Sequence, residues 1–371
     1  MKLVSNLILS ALSSNFFRRT SPYKLTYAVT YKCNSRCLIC NIWKKRDHQE
    51  LSMQEVQNFF SNNNKFQWID LTGGEVFLHP NLVSIVEVIL ETQKNLYLLH
   101  VPTNGIMTER IVQGVKKILS KNVNRFVVSI SLDGTSPVHD TLRGIHNNWK
   151  RAVETYKELK LFKSYRFDCV FGMTISGYNV DQVEAMYLEL KKVIPDLDRN
   201  DIHFNVAHHS SHYYANTATN LYLSQSIFNT IKEYNEKKRF VFSGVALMER
   251  MYQRYIGEFL ELKKTPVSCH ALRSSIFINP NGEVFPCGMW GLSLGNLREF
   301  DFNLQNMWNK EKTKKTISVI EQKKCPNCWT PCEAYQSILG NIIKPKIFIG
   351  ALLECAKGVT DQIRKRRILV C

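Results

Sequence analysis

Between residue 24 and about residue 206 the chain alternates short runs of β-branched and aromatic residues with longer stretches in which apolar positions recur every three or four residues. The short runs at 25–30, 68–71, 96–101, 126–132, 167–175 and 202–206 predict strands. The stretches at 52–61, 81–93, 108–120, 149–162 and 180–193 predict amphipathic helices. Strands in such regular alternation with helices imply parallel βαβ units, hence an α/β fold that is either an open doubly wound sheet or a barrel. Residues 216–264 keep helical periodicity but carry many charges, and read as a bridge of helices solvated on one face. At 276–287 alternating apolar residues flank Pro280, Asn281 and Gly282, a strong β-hairpin signal.

Both ends are amphipathic. Leu3, Val4, Leu7, Ile8, Ala11, Leu12 and Phe16 fall on one helical face, with Lys2, Ser5, Asn6, Ser13, Arg18 and Arg19 elsewhere. That stripe is too short and interrupted to span a bilayer, so it either closes the bottom of the core or lies on an anionic membrane surface. At the other end an apolar run at 347–355 precedes Arg364, Lys365, Arg366 and Arg367, which suits a membrane surface or a docked terminal helix. The expected division is a terminal segment at 1–23, a core at 24–215, the helical bridge at 216–265, a cysteine-rich unit at 266–340 and a basic, apolar tail at 341–371.

Charge and cysteine usage narrow the setting. Lys and Arg number 49 against 32 Asp and Glu, a net charge of +17 that favours an anionic substrate, nucleic acid or an acidic membrane. The basic residues are dispersed and no basic and aromatic strand motif accompanies them, which weighs against nucleic acid. The 11 cysteines are odd in number and fall in compact groups, pointing to metal ligation in a reducing, cytoplasmic setting rather than to disulfides.

The first group, Cys33, Cys37 and Cys40, has the spacing C-x3-C-x2-C and follows the first predicted strand. A structural zinc ion takes four ligands, commonly as two separated pairs, whereas three thiolates can anchor a cube of four irons and leave one iron open. Zinc with a distant fourth ligand and buried free thiols remain as alternatives. In parallel α/β architectures working groups collect at the carboxyl ends of strands. There this chain places Gly73, Gly74 and Glu75, then Pro102 to Gly105, then Ser129, Ser131, Asp133 and Gly134, then Thr174 and Ser176. His203, Asn205, His208 and His209 straddle the end of the sixth strand. Any one of these reads equally as a turn or a cap, but together they share a rim with the cysteine triplet. His203, His208, His209 and Tyr213 either face a substrate or are ordinary surface and core polar residues. A second cysteine system runs Cys269-x12-Gly282-x4-Cys287, then Cys325-x2-Cys328-x3-Cys332, and could make a zinc ribbon. Cys169, inside the fifth strand, reads as a buried thiol.

Over about residues 24–210 the chain resembles the radical S-adenosylmethionine (radical SAM) enzymes, most specifically at Cys33, Cys37 and Cys40. The resemblance implies a partial (β/α)6 TIM-like barrel. Those three cysteines would bind a [4Fe-4S] cluster whose fourth iron is chelated by SAM. Gly73, Gly74 and Glu75 match the motif that holds the methionine amino group, although Val76 stands where proline is usual. Ser129 and Ser131 lie where strand residues approach the carboxylate and ribose, and Arg143 matches an arginine of that region. Thr174 and Asn179 would line the ribose and adenine side, with Ile39 packed on the adenine.

The second cysteine system resembles the SPASM or twitch extension. This implies one auxiliary [4Fe-4S] cluster on Cys269 and Cys287, completed by two or more of Cys325, Cys328 and Cys332. A second auxiliary cluster using Cys355 or Cys371 is not expected. The activity so implied is reductive cleavage of SAM to a 5′-deoxyadenosyl radical that abstracts a substrate hydrogen, in an oxidoreductase, epimerase or related enzyme. The expected substrate is an anionic, sugar-linked or lipid-linked small molecule, because no N-terminal peptide-recognition domain precedes the barrel. The expected electron donor is a flavodoxin or ferredoxin, and peripheral membrane contact stays open. A peptide-modifying radical SAM maturase is one alternative, and a non-catalytic zinc or Fe-S binding module is another.

Overall fold

The computed structural model describes residues 2–16, 21–45, 49–239, 241 and 244–368, with side chains as far as residue 356. Arg18, Arg19, Cys371 and the side chains of Arg364, Lys365, Arg366 and Arg367 lie outside it. After helix α1 (Lys2–Phe16) come six strands: β1 (Lys24–Thr30), β2 (Trp68–Gly73), β3 (Leu98–Thr103), β4 (Arg125–Ser131), β5 (Phe167–Ile175) and β6 (Ile202–Val206). All pair in parallel with their chain neighbours, and with the helices between them they form the expected partial (β/α)6 barrel. Those helices are α2 (Met53–Asn62), α3 (Leu82–Thr92), α4 (Thr108–Leu119), α5 (Ser136–Arg143), α6 (Asn148–Lys160) and α7 (Gln182–Val193). The first begins on a capping box in which Ser52 and Glu55 bond each other's backbone N–H.

Two details depart from the pattern reading. Strand β3 starts and ends two residues later than expected, because Pro102 and Thr103 still pair with Ser129 and Ile130. Helix α5, absent from the expected helices, is only eight residues long, with Val138 and Leu142 as its apolar pair, and Pro137 in its first turn and left-handed Gly144 at its end bound it.

The charged bridge is helical as expected: α8 (Gln225–Glu236), α9 (Gly244–Arg254) and α10 (Ile256–Leu262). The hairpin also forms, as β7 (Ser275–Ile278) and β8 (Glu283–Phe285), with β9 (Gly295–Asn296) beyond it. It is no separate module. Strand β7 pairs in parallel with the outer edge of β1, Lys24 facing Ser275 and Tyr27 facing Ile278, so barrel and cysteine-rich segment share one nine-stranded sheet. Flanked on both sides, β1 is buried along its whole length, as expected of a central parallel strand.

The chain then runs through α11 (Leu304–Trp308), α12 (Glu311–Glu321), α13 (Pro331–Leu339) and α14 (Pro345–Ile368). Helix α14 docks on α9, where Arg254 and Glu354 pair at 2.8 Å, and exposes Phe348, Ile349, Leu352 and Leu353. Helix α1 sits at the amino ends of the strands, where Asn6 bonds Asn95 and Asn15 donates to the Leu339 carbonyl. Its Val4, Leu7, Ile8, Ala11 and Leu12 border the central cavity, and Ile8 and Leu12 remain exposed together with Leu9 and Phe16. Among the described residues no helix is long and apolar enough to cross a membrane.

Near the cavity floor Lys24, wholly buried, pairs with Asp70 at 2.8 Å and donates to the carbonyl of Cys332. Asp70 also accepts from Trp68 Nε1 at 2.8 Å and lies 3.3 Å from His100 Nδ1. Burial opposes both charges, but Lys24 and His100 outweigh it and hold the Asp70 carboxyl below the usual carboxylate range. Removing one partner strands the other charge in the core. Lys24→Met should therefore cost about 3–5 kcal/mol, read as a lower denaturation midpoint in urea, whereas Lys121→Met, at an exposed pair, should cost about 0–1 kcal/mol.

Candidate active site

A cavity of about 1400 Å³ runs through the barrel, from Ser131, Thr103 and Gly73 at the carboxyl ends of the strands to Trp68, Leu98 and Arg125 at the amino ends. Cys33, Cys37 and Cys40 line its upper end. Their loop is clamped from two directions. On one side Arg36 and Leu38 donate backbone N–H groups to the carbonyls of Arg143 and Leu142 at 2.9 and 2.8 Å. On the other, Asn41 N–H donates to Tyr214 O and Asn216 Nδ2 to Ile39 O, both at 2.8 Å.

The glycine pair supports the loop from beneath. Gly74 N–H donates to Thr30 O at 2.8 Å and Glu75 N–H to Lys32 O at 2.9 Å. A Cβ on Gly73 would stand 2.0 Å from Thr30 O, and one on Gly74 would stand 2.2 Å from Lys32 O. Only glycine permits that approach, and Gly73 also holds φ at +137°. Tyr213 closes the contact, its hydroxyl bonded to Thr72 Oγ1 at 2.7 Å.

Burial pushes the three thiols up, Cys33 to about 11 and Cys40 to about 12, with Cys37 raised as well. A buried thiol so disfavoured as an anion becomes a thiolate when a cation compensates it, which metal coordination does outright. Arg143 is the protein's own contribution: Nη1 lies 3.8 Å from Cys37 Sγ and Nε 2.6 Å from Asp133 Oδ2. Asp133 is fixed in turn, accepting from Thr174 N–H at 3.0 Å, while its carbonyl accepts from Asn179 Nδ2 at 2.8 Å.

The expected site residues divide by what they face. Ile39, Gly73, Gly74, Ser129, Ser131, Arg143 and Thr174 line the cavity, as do His203, His208 and Tyr213. Glu75 and Asn179 do not. Glu75 is buried and accepts from Thr103 Oγ1, Asn104 N–H and Phe77 N–H at 2.8, 2.7 and 3.2 Å, which ties the ends of β2 and β3 together. Asn179 is wholly buried and spends its amide on Ser176, Asp133 and Thr174. Both position the rim from behind. His208 uses both ring nitrogens, Nδ1 on Val206 O and Nε2 on Trp329 N–H, and burial takes it down to about 4, so it links elements as a neutral ring. His209 is exposed and bonds Thr219 O.

Two residues outside the expected cofactor set complete the wall. Asn104 bonds Asn34 and Ser35 of the cysteine loop at 2.7 and 3.0 Å, and His100 Nε2 meets Ser129 Oγ at 2.9 Å. The Asn-Gly pair after β3 was the available signal for the first; nothing local marks the second.

The second cysteine set is split. Cys269, Cys287, Cys325 and Cys328 surround one small cavity of about 20 Å³ with Met289 and Ile320. Pro326 and left-handed Asn327 turn the chain between Cys325 and Cys328, and Asn327 Nδ2 bonds Cys325 O at 2.8 Å. Of the three cysteines offered to complete the site, Cys325 and Cys328 lie at this cavity, while Cys332 belongs to α13 and opens onto the central cavity. Cys169 is a buried thiol as expected, and Cys355 lies on α14. Among the described residues no three Cys, His, Asp or Glu side chains are grouped as they would be around a single metal ion. An iron-sulfur cube, whose thiolates bind separate irons, asks for a wider spread, and a triplet plus a quartet of thiols, each set bordering a cavity, fits that demand.

Comparison with known proteins agrees. The model of the radical SAM superfamily matches residues 27–190, and that of the SPASM iron-sulfur cluster-binding domain matches residues 269–333. The antilisterial bacteriocin subtilosin biosynthesis protein AlbA of Bacillus subtilis is 24% identical over 74% of this chain and 57% of its own length. The chain thus spans little more than half of that relative. The mycofactocin maturase MftC of Mycobacterium tuberculosis is 24% identical over 92% of this chain and 84% of its own. Among solved structures, Streptococcus suis SuiB bound to precursor peptide SuiA superimposes with a TM-score of 0.56 at 15% identity, covering 93% of this chain and 76% of that one. The likeness in fold extends beyond the barrel through the cysteine-rich segment, and the chain belongs to the radical SAM superfamily, as a member with a SPASM domain.

Proposed function

We propose that this chain is a peptide-modifying radical SAM enzyme in which Cys33, Cys37 and Cys40 hold the SAM-binding [4Fe-4S] cluster and Cys269, Cys287, Cys325 and Cys328 hold one auxiliary [4Fe-4S] cluster. The bound cluster and SAM supply one-electron cleavage to a 5′-deoxyadenosyl radical, and the protein supplies binding, orientation and exclusion of water. Gly73 and Gly74 keep the cysteine loop in place through backbone bonds that a side chain would break. Arg143, anchored by Asp133, sets positive charge beside Cys37. Ser129, Ser131 and Thr174 offer hydroxyls to SAM, and Ile39 an apolar surface.

The observation that carries the reading is one continuous cavity bordered by the first thiol set and reaching the amino end of α13. Its volume of about 1400 Å³ exceeds the roughly 300–1,000 Å³ usual for a small ligand, leaving room for a peptide segment beside SAM. The small-molecule substrate expected from the sequence has less support than the maturase alternative, given a relative named as a bacteriocin biosynthesis protein, another as a maturase, and a structural neighbour bound to a precursor peptide. An acidic one-electron donor of the flavodoxin or ferredoxin class suits the net charge of +17.

The test is anaerobic reconstitution with iron and sulfide, then SAM, dithionite and a panel of cysteine-containing and cysteine-free peptides. About eight irons per chain are expected, four for each cube, with 5′-deoxyadenosine raised by at least one peptide and that peptide changed in mass. Stimulation by a sugar or lipid and by no peptide would reject the peptide reading, and stoichiometric zinc without SAM cleavage would reject the enzyme. In the same assay Gly74→Ala should lose the SAM-site iron, retain about four irons at the auxiliary site, and cut SAM cleavage by about 10²-fold through displacement of the cysteine loop.

A further inference from the structure

Helices α1 and α14 are folded inside out. On α1 the buried residues are Ser10, Ala11 and Ser14, with Ser14 Oγ donating to Ala11 O at 2.6 Å, while Ile8, Leu9, Leu12 and Phe16 are exposed. Ile8 and Leu12 also border the cavity; Leu9, 63% exposed, does not. On α14 the charged Glu354 is turned inward to Arg254 at 2.8 Å, while Phe348, Ile349, Leu352 and Leu353 are each about half exposed. In both helices the outward set falls on one face, and a helix packed for water does the reverse.

Half of the exposed large apolar side chains among the described residues lie on these two helices or on Ile343, which stands between α13 and α14. Single exposed apolar residues are ordinary, but a concentrated set marks a surface that something covers. The helices are also neighbours. Asn15 in the last turn of α1 donates to Leu339 O at the end of α13, and α14 starts at Pro345, so α1 ends close to where α14 begins.

Charge selects the cover. Residues 1–23 hold Lys2, Arg18 and Arg19 and no acidic residue, and residues 341–371 hold seven Lys and Arg against Glu354 and Asp361. Glu354 is already matched by Arg254, and Lys2 and Lys344 are exposed. A second copy of the chain would bring another +17 to the contact and be repelled. An anionic lipid surface suits both halves of the pattern, because its acyl boundary takes up apolar side chains and its phosphates attract the basic residues beside them.

We propose that α1 and α14 form a docking face for an anionic phospholipid membrane. Contact is peripheral, since among the described residues no helix is long and apolar enough to cross a bilayer. Ile8 and Leu12 belong both to the exposed face and to the cavity border, so docking brings the lower end of the cavity to the lipid surface. Nothing in this docking depends on the peptide reading.

The test is flotation of the full-length reconstituted protein with vesicles of mixed phosphatidylglycerol and phosphatidylcholine, and with vesicles of phosphatidylcholine alone. The protein should float with the first, bind the second about tenfold more weakly, and leave the first in salt on the order of 0.5 M. Leu9→Asp on α1, and Phe348→Ser with Leu352→Ser on α14, should each weaken flotation by about tenfold, with iron content and SAM cleavage in solution unchanged. Retained iron shows that these surface variants are folded. Absence of flotation with the anionic vesicles, equal binding to both kinds, or folded variants that float like the unaltered protein overturns the proposal. So does a lipid-free dimer in sedimentation velocity that Leu9→Asp dissociates, because a second copy then covers the face.

Discussion

Strand β1 is the member on which the rest depends. It pairs with β2 on one edge and with β7 on the other, a partner about 250 residues away in the chain. Its carboxyl end feeds the loop carrying Cys33, Cys37 and Cys40, and β7 carries the hairpin that leads to Cys287. One rigid ladder of backbone bonds therefore sets the spacing between the two thiol sets. At its amino end Lys24 adds a second tie through Asp70 and the Cys332 carbonyl. A strand so placed has no solvent face, and its lysine is tolerated only because Asp70 and a carbonyl take up its donors.

Close backbone approach governs the upper rim. Gly73 and Gly74 bring β2 against Thr30 and Lys32, Glu75 then reaches to Thr103 and Asn104, and Asn104 returns to the cysteine loop. Three successive strand ends thus form a closed circuit of hydrogen bonds behind the thiols. Glu75 is buried and its carboxyl pushed up by that burial, so the donors around it determine whether its charge is tolerated. This circuit fixes the loop while leaving the cavity face of the cysteines open.

What could be read from sequence was what is local. The C-x3-C-x2-C spacing, the Pro-Asn-Gly hairpin and the strand and helix periods each lie within a dozen residues, and the structure places them within about two residues of expectation. Asp133 and Arg143 are nearly as local, but α5, the element that delivers Arg143 to Cys37, is only eight residues long, too short for a period to stand out between its Pro and Gly bounds. The pairings Lys24 with Asp70, β1 with β7 and His100 with Ser129 join residues that carry no mark of each other. Lys24 in sequence is an ordinary lysine at a strand start. Glu75 and Asn179 were placed at the cofactor because their neighbours belong there; both side chains are buried and bonded behind the rim, off the cavity wall.

The separation of Cys332 from Cys325 and Cys328 follows from a change of backbone state that spacing alone conceals. Cys325 and Cys328 lie in an irregular turn shaped by Pro326 and left-handed Asn327, and such a turn aims both thiols at one point. At Thr330 the chain is extended, and Pro331 then starts a helix. Once the helix begins, the direction of Cys332 is set by how α13 packs, and that packing is fixed by Lys24 on the Cys332 carbonyl and by Ser275 of β7 on Glu333 at 2.5 Å. Two strands of the shared sheet thus grip the first turn of α13 and present its thiol to the barrel. A compact C-x2-C-x3-C motif therefore serves two cavities, and the border between them is the helix start.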